Sequence, residues 1–314
     1  MNGAGRVIRT LASTALAVVA LVGGAGAPSG AAAQEAITIT DVKGRTVTVD
    51  APVKRVVCLV SLCEDMLLEL GMRPLARTGE LLEHPAFLGE KASEVPQVPG
   101  GFLDPDVEAI IGYEPDLVIG LGPGQHDGLA PALEGVAPLW IVNPDSIEES
   151  LQYLRDMGTL TGLQKRAAEA ERRFRDRLAE AEQGASKDLT ALVLIGLDGT
   201  FEVIASTYLG DLMGRLFDYP WEVREGPLGG SLYSLEEIAA VDADIIFVLT
   251  YNNADPNGPP LSEVLASNPL WSQLTAVKNG DVHEVNTSLW GNGRGTRSLG
   301  EVATEALDLA NAAG

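Results

Sequence analysis

The sequence is poor in basic residues, in histidine and in cysteine. Its 314 residues include 22 lysines and arginines against 44 aspartates and glutamates, which gives a formal net charge of −22. A chain this acidic repels nucleic acid and anionic lipid, so we expect neither as a partner. The three histidines stand at no spacing that resembles a metal site, and we predict no metal centre.

Catalytic motifs are missing as well. The sequence contains no G-x-S-x-G elbow, no H-E-x-x-H pair and no P-loop, and each of these marks a common kind of enzyme active site. We therefore predict that the protein is not an enzyme and that it holds no resident cofactor.

No stretch long enough to span a membrane follows the N-terminal segment. Arg6 and Arg9 precede an apolar run over residues 11–22, and a row of three alanines ends at Ala33. This order is typical of a signal peptide, and the apolar run is too short for a stable membrane anchor. We predict a signal peptide over residues 1–33, cleavage near Ala33, and a periplasmic protein that is not inserted in the membrane after cleavage.

Two segments of the chain share one pattern. Residues 106–121 (DVEAIIGYEPDLVIGL) and residues 234–249 (SLEEIAAVDADIIFVL) each have the pattern of a short helix, a turn and a buried strand. A glutamate near the start of each helix is followed at the same distance by an aspartate before the strand. A unit that is used twice in one chain predicts two similar α/β lobes.

The segment between the two copies predicts a single long helix. Residues 161–183 contain no proline, and their apolar residues form one narrow stripe with charges on the other faces. About 20 residues at 1.5 Å rise make a rod of roughly 30 Å. We predict an α/β fold of two Rossmann-like lobes with mostly parallel sheets, joined by this helix. The predicted bounds are 34–160 for the N-terminal lobe, 161–184 for the connecting helix and 185–314 for the C-terminal lobe.

In this order, the segments resemble the substrate-binding proteins of ABC importers for ferric siderophores, cobalamin and haem, whose two lobes are joined by one long helix. The resemblance rests on ITDVKGRTVTVDAPVKRVV, on EDMLLELG, on the two repeated segments, on NPLWSQLTAVKNGDVHEVN and on LWGNGRG. EDMLLELG and LWGNGRG are most similar to the ferric-siderophore branch. Loop 98–103 lacks the tyrosine that haem binders of the class carry, which counts against haem.

The resemblance implies a monomeric protein that captures a ferric siderophore between its lobes and delivers it to an ABC permease. Cobalamin or another corrinoid is the alternative ligand. The resemblance also implies that one glutamate in each lobe meets arginines of the permease, and by motif position these are Glu108 and Glu236. Both also lie in the first turn of a predicted helix, where the helix dipole favours an acidic residue whatever its function.

Ligands of open α/β sheets bind beyond the carboxyl ends of the strands, so the loops at that edge supply the candidate contacts. Arg294 is the leading candidate because it stands between two glycines, with few structural duties. Trp290 can equally pack under its own loop, and loop histidines are often simply solvated. The candidate ligand-binding residues are Cys63, Arg77, His84, His126, Tyr208, Trp221, Arg224, Tyr233, Tyr251, Trp290 and Arg294.

Cys58 and Cys63 leave three alternatives open: a disulfide, two buried thiols, or a ligand or metal role. An oxidising compartment favours the disulfide. Cys58 is predicted to lie within a strand, however, and a bond needs Cα atoms within about 7 Å, so the chain would have to fold back at once. Cys63 begins a predicted helix and is expected to be the more exposed of the two.

Overall fold

The structure is a computed structural model that describes residues 35–313, apart from Asp198 and residues 227–229, 253–254 and 256. The predicted signal peptide therefore lies outside the described residues. None of the described helices combines the length and the apolar character that are needed to cross a membrane.

The first lobe is built on a parallel sheet of four strands. Its elements in chain order are β1 (Glu35–Thr40), β2 (Thr46–Ala51), β3 (Val56–Cys58), α1 (Ser61–Glu69), β4 (Ala76–Arg77), α2 (Val107–Gly112), β5 (Leu117–Leu121), α3 (Ala130–Leu133), β6 (Leu139–Val142) and α4 (Ile147–Thr161). β1 and β2 form a separate antiparallel hairpin. The sheet order is β4–β3–β5–β6 with parallel pairing throughout. Apolar clusters cover both faces, which is why the strands are continuous apolar runs.

The second lobe has its own sheet. Its elements, with the helix that leads to them, are α5 (Gln164–Gln183), β7 (Ser186–Leu197), β8 (Thr200–Val203), α6 (Thr207–Leu216), β9 (Phe217–Asp218), α7 (Leu235–Val241), β10 (Ile245–Tyr251), α8 (Leu261–Leu265), α9 (Thr275–Asn279), β11 (Val282–Glu284), α10 (Thr287–Trp290) and α11 (Thr296–Ala313). The order is β11–β10–β7–β8, with β9 paired to β7, and every pair except β7–β8 is parallel. The predicted α/β fold with mostly parallel sheets is confirmed.

The long helix α5 contributes to both hydrophobic cores. Its buried stripe is divided, because Ala167 and Ala170 pack in the core of the first lobe while Phe174 and Leu178 pack in that of the second. The helix begins at Gln164, whereas the sequence predicted Thr161. Thr161 instead ends α4, because Gly162 adopts a left-handed conformation (φ 71°) and caps that helix.

A buried carboxylate joins the two lobes directly. Asp65 of α1 is 0% exposed and accepts hydrogen bonds from the backbone N–H groups of Arg297 (3.2 Å) and Ser298 (2.8 Å) and from the Ser298 hydroxyl (2.5 Å). It therefore caps the first turn of α11 from the opposite lobe. Gly295 permits this approach, because a Cβ there would lie 2.3 Å from Cγ of Asp65.

A second carboxylate, on the next turn of α1, extends the contact between the lobes. Glu69 accepts from Nε of Arg297 at 2.9 Å and from Nη2 of Arg173 at 2.6 Å. Burial raises the pKa of Asp65 to about 6, and the hydrogen bonds from Ser298 offset part of the rise, so that the carboxyl group is ionised at neutral pH. Helices α1, α5 and α11 thus meet around two carboxylates.

Candidate functional site

Loops of the two lobes also meet around Arg294. Its side chain is partly buried, and Nη1 donates to Oδ1 of Asn143 at 2.5 Å. Asn143 directly follows β6 of the first lobe, while Arg294 lies between α10 and α11 of the second. The Arg294 guanidinium carbon also lies 5.5 Å from the ring centroid of Tyr208, and its Nε has no hydrogen-bond partner within the described residues.

Two phenols line the second-lobe side of this contact. Tyr208, at the start of α6, donates its hydroxyl to the carbonyl of Gly291 at 2.7 Å, and Tyr251, at the end of β10, donates to Oδ1 of Asn292 at 3.2 Å. Burial raises the pKa of both phenols, so both remain protonated hydrogen-bond donors at neutral pH. We call this group of residues, Asn143, Tyr208, Tyr251, Asn292 and Arg294, the facing cluster.

Two tryptophans among the candidate ligand-binding residues lie in the cores. Trp290 is 0% exposed and donates its indole N–H to Oε2 of Glu305 at 2.7 Å. Trp221 is 5% exposed and donates to the carbonyl of Ala191 at 2.7 Å. Both indoles have their apolar body packed and their polar N–H satisfied internally. For Trp290 this is the packed alternative, and for Trp221 it corrects the expectation of a ligand contact. Trp290 lies immediately before the loop that carries Arg294.

Arg77, predicted as a second cation of the site, is buried in the first lobe. It is 2% exposed, and its guanidinium donates to the carbonyl of Gly79 and to Oε1 of Glu83, the latter at 3.0 Å. Glu64 is also fully buried nearby, where burial raises its pKa to about 7 and the charge of Arg77 opposes that rise. The Arg77 charge is therefore compensated inside the lobe, contrary to the expectation that it reaches a ligand.

The two loop histidines differ in their surroundings. His126 is 0% exposed; its Nδ1 accepts from the N–H of Leu121 at 3.0 Å, and its Nε2 donates to the carbonyl of Phe102 at 2.7 Å. Burial lowers the pKa of His126, so the ring is neutral at neutral pH. His126 thus links the end of β5 to the loop that contains Phe102 through hydrogen bonds, and neither of its ring nitrogens is free to bind a ligand. His84 is partly exposed, with its ring edge-on to Phe87.

The cysteines form a disulfide. Cys58 and Cys63 are bonded with their Cα atoms 5.4 Å apart, and both residues are 0% exposed. The chain turns back directly after β3 into α1, which brings the two residues together. The expectation of an exposed, reactive Cys63 is wrong, because its sulfur is both bonded and buried.

Arg224 and Tyr233 form a cluster of their own on the second lobe. The Arg224 guanidinium lies 3.7 Å from the centroid of the Tyr233 ring, and it donates to Oε1 of Glu237 at 2.7 Å. Glu237 is also the capping-box residue of α7, where it accepts from the N–H of Ser234. The charge of Arg224 is therefore compensated on the surface of its own lobe.

Glu108 and Glu236 occupy equivalent positions in the two lobes. Each is the second residue of a helix, α2 or α7, and each side chain is exposed. Within the part of the chain that the structure describes, neither makes a hydrogen bond or an ion pair. Exposed leucines precede them in the sequence, Leu103 at 65% and Leu232 at 52% exposure.

Sequence reasoning missed Asn143, Asn292 and Asp65. Asn143 and Asn292 sit in positions that could have been noticed, since one directly follows a predicted strand and the other lies two residues before Arg294. Asp65 gave no such signal, because its partners lie more than 200 positions away in the sequence. Among the described residues, no group of three or more potential metal-ligating side chains is found.

Two α/β lobes that share one long helix and meet around a partly buried arginine define a two-lobed ligand-binding protein. The sequence matches the family model described as periplasmic binding protein (Peripla_BP_2) over residues 56–288. The match covers most of the chain, and the protein belongs to the Peripla_BP_2 family. The family match confirms the resemblance that the sequence motifs indicated, and the protein is of the periplasmic-binding-protein class.

Known proteins similar to this chain support the same assignment. The Fe(3+)-citrate-binding protein YfmC of Bacillus subtilis (strain 168) is 25% identical over 288 residues, covering 86% of this chain and 84% of YfmC. The probable siderophore-binding lipoprotein YfiY of the same organism is 26% identical over 283 residues, covering 83% of each chain. The crystal structure of the petrobactin-binding protein YclQ from Bacillus subtilis superposes with a TM-score of 0.75 at 20% identity, covering 88% of this chain and 98% of YclQ.

Proposed function

We propose that the protein binds a ferric siderophore between its two lobes and delivers it to an ABC permease. The observation that carries the proposal is Arg294, an arginine held between the lobes by a neutral partner. A guanidinium in that position binds the oxygens of a chelate by charge-assisted hydrogen bonds. The family and the names of its relatives favour an iron chelate over the corrinoid or haem alternative.

The proposal includes the route to the membrane. Residues 1–33 direct export to the periplasm and are removed from the exported chain. The loaded protein, as a monomer, then docks on the permease through Glu108 and Glu236. The equivalent placement of the two glutamates supports this, because one rigid protein can then present two similar contacts to the two halves of a permease.

We expect Arg294→Ala to weaken the binding of an anionic ferric siderophore by about 1–3 kcal/mol, since the variant loses a charge-assisted contact. Titration followed by tryptophan fluorescence measures this, because Trp290 lies next to the loop of Arg294. Arg172→Ala is the matched control, as Arg172 is exposed on α5. Equal affinities of the two variants would remove Arg294 from the site.

We also expect only a small movement of the lobes on binding. α5 packs in both cores, and a continuous helix resists the bending that a pair of loose strands allows. Small-angle scattering with and without ferric siderophore measures the change in radius of gyration. A large compaction would contradict the expectation, and the ligand-free protein in matched buffer is the reference.

A further inference from the structure

Three other arginines, of which Arg77 and Arg224 were candidates for the site, are compensated by carboxylates. The pairs are Arg77 with Glu83 (3.0 Å), Arg224 with Glu237 (2.7 Å) and Arg297 with Glu69 (2.9 Å). A cation whose charge is already balanced offers little additional attraction to an anionic ligand, because the neighbouring carboxylate repels that ligand. These arginines therefore contribute little net positive charge toward the facing cluster.

Arg294 differs from these three. Within the described residues its side chain has no carboxylate partner; it donates a hydrogen bond to the neutral amide oxygen of Asn143 and lies over the uncharged ring of Tyr208. The internal positions that the structure leaves undescribed hold no lysine or arginine in the sequence. The facing cluster thus offers a ligand one positive charge.

The two side chains that contact Arg294, Asn143 and Tyr208, are neutral. Tyr208 and Tyr251 offer hydroxyl groups but no charge. Asp145 is exposed two residues after Asn143, and the chain as a whole carries a net charge of −22. A chelate with several negative charges would meet one compensating cation within a repulsive field, and its remaining charges would lose hydration without gaining partners.

We propose that the cluster selects a ferric chelate with at most one net negative charge, such as a neutral trishydroxamate complex, over polyanionic chelates. In the complex an oxygen of the chelate replaces Oδ1 of Asn143 on the Arg294 guanidinium, and the phenols supply uncharged contacts. This inference rests on the proposed siderophore function and narrows its substrate class.

The test compares chelates of different charge on the mature protein. Dissociation constants are measured by tryptophan fluorescence for ferrichrome, which is neutral, for the trianionic ferric enterobactin and for ferric dicitrate. We expect ferrichrome to bind at least about tenfold more tightly than either anionic complex, since unmatched charge is penalised at a binding site. Tighter or equal binding of an anionic complex would overturn the charge selection while leaving the siderophore function standing.

Charge variants give an independent check. Arg294→Gln keeps hydrogen-bonding capacity but removes the charge, so it should weaken residual binding of the anionic chelates by about tenfold and weaken ferrichrome binding by a smaller factor; an equal loss for both kinds of chelate would contradict the charge selection. Arg172→Gln, on the exposed face of α5, should change neither. Failure of all three chelates to bind a protein that melts cooperatively would instead count against the siderophore function, and the charge inference would fall with it.

Discussion

Asp65→Ala is expected to lower the free energy of unfolding by about 2–4 kcal/mol. The wild-type carboxylate accepts three hydrogen bonds from Arg297 and Ser298, and its removal leaves buried donors at the first turn of α11 without a partner. Such a loss costs more than the net value of the bonds, because the stranded groups stay desolvated. Urea denaturation followed by tryptophan fluorescence measures the change.

Two further variants define the origin of that effect. Ser298→Ala removes only the hydroxyl contact to Asp65 and should cost about 1 kcal/mol. Asp176→Ala removes an exposed carboxylate from α5 and should change stability by less than about 0.5 kcal/mol. If Asp65→Ala unfolds at the same urea concentration as Asp176→Ala, the cap from α1 onto α11 contributes nothing to the pairing of the lobes.

The double variant Glu108→Ala with Glu236→Ala is expected to abolish uptake of the ferric siderophore while leaving its affinity for the protein unchanged. Both side chains are exposed and lie outside the facing cluster, so their loss does not alter the ligand contacts. Each removes one of two equivalent contacts that we propose for the permease. Uptake of iron-labelled siderophore into cells and fluorescence titration of the purified variant measure the two quantities separately.

The control for this variant is Glu134→Ala with Asp188→Ala. Both residues are exposed and lie near the amino-terminal ends of β6 and β7. In each sheet this edge is opposite to the edge at which Glu108 or Glu236 lies. The net charge changes equally in the two double variants, so a general electrostatic effect would reduce uptake in both. Full uptake by the Glu108 and Glu236 variant would exclude these glutamates from docking.

The tryptophans show why the site was harder to predict than the fold. Loop position and aromatic character indicated that Trp221 would face a ligand and left both orientations open for Trp290. Both indoles find a hydrogen-bond acceptor inside the protein, Ala191 for Trp221 and Glu305 for Trp290. Whether an aromatic side chain points outward or inward depends on which acceptor lies beneath it. That information is not contained in the local sequence.

The ion pairs of α5 were likewise only partly predictable from local spacing. On α5 the local pattern placed Glu169 four residues before Arg173, but Arg173 contacts Glu69 of another helix at 2.6 Å. The i,i+4 pair of Glu171 with Arg175 does form, at 2.9 Å. A helix brings residues four positions apart close to each other whatever its surroundings, so such pairs can be predicted from the sequence. A carboxylate on another element can still take the place of the predicted partner, as Glu69 does for Arg173.

The sequence alone determined the features that depend on local spacing: two α/β units, the apolar stripe of α5, and an arginine between glycines at position 294. Periodicity of this kind is set by the geometry of helices and strands, so it can be read without coordinates. Tertiary structure alone decided that Asp65 caps α11, that Arg77 and Arg297 are paired with carboxylates, and that Arg294 is held by Asn143. The physical reason is that these contacts join groups from separate elements, many of them over 100 positions apart in the chain, and folding alone brings such groups together.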